Sequence, residues 1–76
     1  MYQNIPLEDV ARDYLALILK SGYQSICQAS LKTGHIDERL IEAKNMLLDK
    51  GLIRRPNASF LQEIEEEAFI PYEANI

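Results

Sequence analysis

Disulfides, membrane spans and phosphate loops all lack their raw material in this sequence. Cysteine occurs once, at Cys27, so no internal disulfide can form. A single thiol fits a reducing, cytoplasmic compartment. The three glycines, Gly22, Gly34 and Gly51, are scattered and build no glycine-rich phosphate cradle. Aromatic residues make up 8% of the chain and form no stacking array for single-stranded nucleic acid. The most apolar run, Leu15-Ala16-Leu17-Ile18-Leu19, falls far short of the ~20 residues a membrane span needs. The opening Met1-Tyr2-Gln3-Asn4 has neither a basic nor a long apolar stretch, so no signal peptide is expected. Basic residues are also missing from a whole segment, since none follows Arg55.

What is present is the composition of a globular chain, with 47% apolar and 26% charged residues. Its 76 residues allow one small domain. A domain of this size buries only about 60% of the surface its unfolded chain exposes, so a dimer or a larger partner would add useful stability. The net charge of −4 is unevenly distributed. Residues 1–55 carry eight basic and seven acidic side chains, whereas residues 56–76 carry five acidic and no basic ones. The predicted organisation is a core over residues 1–55 and an acidic C-terminal helix or tail over 56–76, packed on that core or extending from it.

Local signals predict the elements. Pro6 suits the start of a helix, Glu8 and Asp9 favour its positive end, and Gly22 can close it. Between them, Leu7, Val10, Ala11, Tyr14, Leu15 and Ile18 recur at three- and four-residue spacing, which predicts a helix over Leu7 to Ser21. Ser25 and Gln28 have capping-box spacing, so a second helix begins at Ile26 and ends in the Thr33-Gly34 turn. A third helix follows Asp37 as N-cap and runs to Lys50, with Gly51 as its stop. Leu52-Ile53-Arg54-Arg55 reads as a short strand, broken by Pro56-Asn57. Ser59 and Gln62 repeat the capping spacing, and Phe60, Leu61, Ile64 and Ala68 keep helical periodicity. A fourth helix over 60–68 is expected, with a return strand pairing with 52–54 as the alternative. Ile70-Pro71-Tyr72 reads as extended.

From Ser25 to Arg55 the chain resembles the winged helix-turn-helix of bacterial regulators of the MarR and IclR types. Ser30 stands four residues before Gly34, where those regulators usually place Ala, and Gly34 matches their turn glycine. Gly51-Leu52-Ile53-Arg54-Arg55 matches the segment that leads from the recognition helix into the wing, and the seventeen-residue separation of Gly34 from Gly51 is the family's spacing. Leu31 departs from the pattern, which usually has a polar residue there. Few β-forming residues follow Pro56, so the wing is expected to be reduced or absent, with a helix in its place. The expected fold is therefore mostly α, a small winged-helix-like three-helix core with a C-terminal helix.

In the resembled family the outward face of the third helix enters the DNA major groove. Here Ile36, Leu40, Ala43 and Leu47 fall within one arc at about 100° per residue and form the core face. Opposite them lie Glu38, Glu42, Asn45 and Asp49, three of them carboxylates. Such a face repels phosphate and suits a basic or polar protein partner, or simply solvent. Lys20, Lys32, Arg54 and Arg55 could touch phosphates, and Arg39, Lys44, Arg54 and Arg55 are the positioning contacts if DNA is bound. An alternative role for the paired arginines is neutralising carboxylates of the tail. Ile41 and Leu48 form a second apolar stripe, open to packing against another helix or to a dimer or partner contact.

No catalytic constellation emerges. His35 beside Asp37 and Glu38 lacks the Cys or second His of a zinc site, and reads as a turn histidine with local polar contacts. Cys27 has no adjacent base and reads as a half-buried small residue. No cofactor, metal, membrane contact or small-molecule substrate is indicated. The expected function is a small cytoplasmic regulatory module acting through protein–protein contacts, as a homodimer or with another protein, by the acidic helix 3 face and the acidic tail. The alternative is a dimeric winged-helix DNA-binding transcriptional regulator.

Overall fold

Proline opens the first helix and glycine closes it. In the computed structural model, which describes residues 5–75, α1 spans Leu7–Ser21. The Pro6 carbonyl accepts the amides of Asp9 and Val10 at 3.0 and 3.3 Å. At the other end Gly22 takes φ +97° and donates its N–H to Ile18 at 2.8 Å. The next three elements are β1 at Tyr23–Gln24, α2 at Ile26–Thr33 and α3 at Asp37–Asp49. The Ser25/Gln28 capping box forms in both directions. The Gln28 amide reaches Ser25 Oγ at 3.3 Å, and the Ser25 amide reaches Gln28 Oε1 at 3.0 Å. Gly34 ends α2 in the left-handed region at φ +82°, a conformation that costs residues with a Cβ.

One cap differs from expectation. Ile36, not Asp37, is the capping residue of α3, and no side chain caps that end. Asp37 and Glu38 instead lie in the first turn, where their charge opposes the exposed amide dipoles. Ile36 therefore sits outside the helix and is 41% exposed, so it leaves the core face assigned to it. Leu40, Ala43 and Leu47 keep that face and are buried.

Beyond α3, β2 covers Ile53–Arg54, α4 is the single turn Ser59–Gln62, a 3₁₀ turn covers Glu67–Phe69, and β3 covers Tyr72–Ala74. The sheet order is β1-β3-β2, antiparallel throughout. The last strand is thus the central one. Gln24 faces Tyr72, Ile53 faces Ala74, and Glu73 lies opposite both Tyr23 and Arg54. The fold is mostly α and winged-helix-like, a three-helix core with a small sheet and a reduced wing.

The helix expected over 60–68 is interrupted, and the cause is visible. Arg55 donates to the carbonyls of Leu61 and Ile64, each at 3.2 Å. A continuous helix would offer those carbonyls to the amides four residues on. The acidic run from Glu63 to Glu67 adds like-charge repulsion along the same stretch. Ala58, not Ser59, precedes α4, without a side-chain cap. The return strand that meets β2 is supplied by Tyr72–Ala74, beyond the stretch considered for that role.

The core gathers Val10, Ala11, Tyr14 and Ile18 of α1, Ile26 and Ala29 of α2, the three α3 residues, Ile53 and Tyr72. Tyr14 is the most consequential. Fully buried, it donates its hydroxyl to the Gln24 carbonyl at 2.9 Å, tying α1 to the edge strand β1. Burial above all, with the neighbouring Tyr72 and Glu67 adding to it, pushes its pKa well above the ordinary tyrosine range. The unfolded chain releases this proton near pH 10, whereas the folded chain retains it. Above about pH 10, up to the folded value, the unfolded state binds fewer protons, and this group costs about 1.4 kcal/mol of stability per pH unit. Urea titrations between pH 9 and 11.5 should therefore show a steeper loss of stability in the native chain than in Tyr14→Phe; parallel curves would contradict this.

Candidate interaction surface

Helix α3 divides its side chains between core and solvent. Glu38, Glu42, Asn45 and Asp49 are all exposed along the outward face. Glu42 accepts from Arg39 at 2.8 Å, and Asn45 accepts from the Lys44 ammonium at 2.9 Å. Ile41 is half-buried and packs against the core cluster, while Leu48, seven residues on, is 37% exposed. The two members of the second apolar stripe therefore have different surroundings.

The four residues named as positioning contacts for DNA all have internal partners. Arg39 holds Glu42 and the carbonyl of Ile5. Arg54 donates to Glu73 at 2.8 Å across the β2–β3 pair, as expected of an arginine neutralising the tail. Arg55 is occupied by the two wing carbonyls. Lys44 does not flank the outward face. It is buried, ion-paired with Glu67, and lies 5.7 Å from the centre of the Tyr72 ring. A buried ammonium requires such partners, because its desolvation is otherwise uncompensated. The sequence carries a signal for this position: Lys44 stands four residues after Leu40 and three before Leu47, which is core spacing.

The Lys44–Glu67 pair also sets the electrostatics of the surface by holding the acidic wing segment against α3. Glu63, Glu65 and Glu66 of that segment are exposed. Together with Glu38 and Asp49, they form no ion pair among the described residues. The lysines without an ion pair among the described residues, Lys20, Lys32 and Lys50, lie at the C-terminal ends of the three long helices, where the helix dipole favours them.

Elsewhere, His35 reaches farther than a local turn contact. Its Nε2 lies 2.8 Å from Asp13 of α1, and Ser30 Oγ donates to its carbonyl at 3.0 Å. Two shallow grooves lie near these elements. One of about 290 Å³ runs between α1 and the end of α2, lined by Asp13, Ala16, Leu17, Lys20 and Thr33. Another, of about 320 Å³, opens between the start of α2 and the wing segment, and half-buried Cys27 lies in its wall. Among the described residues no three His, Cys, Asp or Glu side chains converge as metal ligands. No described helix is long and apolar enough to cross a membrane. Comparison with protein-family models, with curated proteins and with solved structures found no match to this chain.

The Lys44 junction can be tested by removing its partners separately. Glu67→Ala leaves a buried ammonium short of its counter-charge and should cost about 1–2 kcal/mol. Lys44→Met keeps the stem and removes the charge, so it should cost less. The double variant should be more stable than Glu67→Ala alone, as read from urea midpoints at constant slope.

Proposed function

We propose that this chain is a small regulatory module, of the winged-helix type it resembles, that acts through protein–protein contacts. It meets a basic or polar partner with the outward face of α3 and the acidic wing. One observation carries the reading. Glu38, Asp49, Glu63, Glu65 and Glu66 stand exposed without a counter-charge among the described residues, whereas Arg39, Lys44, Arg54 and Arg55 each bind a partner within the chain. Complementary charge steers such encounters and suppresses partners of the wrong sign. The half-exposed Leu48 provides an apolar contact beside this face, for a second copy or another protein. The lone thiol supports a cytoplasmic setting. No catalytic role is proposed.

The alternative is a dimeric DNA-binding regulator. It draws support from the winged-helix-like architecture and from Arg54, whose side chain is 55% exposed at the start of the wing.

Affinity capture followed by titration separates the two. Glu38→Lys with Glu42→Lys should abolish binding to the captured protein, and random-sequence duplex should not be retained even at low salt. Duplex binding that weakens on Arg54→Ala, with a flatter salt dependence, would establish the alternative instead. Arg54 is the informative choice because Arg55 also holds the wing backbone.

A further inference from the structure

The groove between α2 and the wing is lined by apolar and uncharged polar side chains, and one of its walls comes from an acidic stretch of the chain. Tyr23, Cys27, Leu61, Ile64, Phe69 and Pro71 line it. Tyr23 and Phe69 remain 48% and 56% exposed, so two large rings stand partly in water beside an unfilled space. Ser25 and Gln28 complete the α2 wall, with Ser25 Oγ and Gln28 Oε1 engaged in the capping box. That wall carries no charged side chain.

The opposite wall differs. Leu61, Ile64 and Phe69 come from the same stretch of chain as Glu63, Glu65 and Glu66, which are exposed and form no ion pair among the described residues. Arg55 is held on this stretch through the Leu61 and Ile64 carbonyls but forms no ion pair with these glutamates, and no basic residue follows it. At about 320 Å³ the space lies at the low end of the roughly 300–1,000 Å³ typical of ligand sites, suited to one or two side chains of a partner. The occupant must bring its own apolar group and a positive charge. A second copy of this chain, at −4, brings the wrong sign.

We infer that this groove is the anchoring pocket for a basic peptide segment of a partner protein, which inserts an apolar side chain between α2 and the wing and lays Lys or Arg residues along Glu63, Glu65 and Glu66. The inference rests on the protein-contact reading above and adds to it a pocket and a peptide chemistry. Apolar burial supplies the grip, and the glutamates select the sign of the ligand.

Cys27, the chain's single thiol, is a native reporter of occupancy. Its reaction with a soluble aromatic disulfide reagent is followed in the full chain with three synthetic twelve-residue probes. The first alternates Leu with Lys, the second replaces each Lys with Glu, and the third replaces each Leu with Ser. The first probe should slow Cys27 labelling by about tenfold at saturation, and the other two should leave it unchanged. Phe69→Ser, at an exposed position, and Glu65→Lys with Glu66→Lys should each remove the protection while circular dichroism and thermal melting stay native.

Equal protection by the acidic probe, or binding of the basic probe without protection of Cys27, would overturn the inference, as would the absence of any binding. If binding is lost on Glu38→Lys with Glu42→Lys but survives Phe69→Ser, the groove is wrong and the α3 surface stands. The reverse pattern retains the groove and removes the α3 face from the interaction.

Discussion

A buried ammonium fixes the arrangement of this molecule. Lys44 occupies a core position of α3, where an unpaired charge would be costly, and its neighbour Asn45 and two distant parts of the chain meet its needs. Glu67 provides the counter-charge from the wing, Asn45 accepts a hydrogen bond, and the Tyr72 ring offers its electron-rich face from the central strand. Few other interactions in so small a domain bring helix, wing and sheet to one point. Because the pair is specific in position and sign, it gives the wing a defined seat on α3, which hydrophobic contact alone does not specify.

The acidic surface follows from that seat. Glu67 is spent on Lys44, Glu73 on Arg54 and Glu42 on Arg39. Of the carboxylates left over, Glu38 and Asp49 lie on the outward side of α3 and Glu63, Glu65 and Glu66 along the wing. Internal pairing therefore sorts the charges, engaging Arg39, Lys44 and Arg54 with carboxylates of the chain itself. The same pairing leaves the outward side of α3 predominantly acidic.

The helices were legible in the sequence because their limits are written locally. The Ser25/Gln28 box and the glycines at 22, 34 and 51 each act within a turn, and α1 and α2 begin and end where those signals lie. The sheet was less legible. Strands of two or three residues have no periodicity to read, and Tyr72 becomes a core residue only through pairing with Gln24, far away in sequence. The continuous fourth helix failed for a similar reason: its periodicity was real, but Arg55 captured two of its carbonyls from outside the segment. The candidate surface was half visible. The wheel of α3 placed Glu38, Glu42, Asn45 and Asp49 outward, yet gave no hint that Glu67 would bind Lys44 and bring the wing alongside them.

Strand β3 has a consequence for how the chain acquires its structure. β1 and β2 do not pair with each other; each pairs only with β3. Until Tyr72–Ala74 has been synthesised and has threaded between them, both earlier strands keep unpaired edges and the space for the Tyr72 ring is unfilled. The helices rest on local contacts, whereas the sheet closes only when β3 joins segments distant in sequence. Cooperativity in this domain thus comes from its last strand.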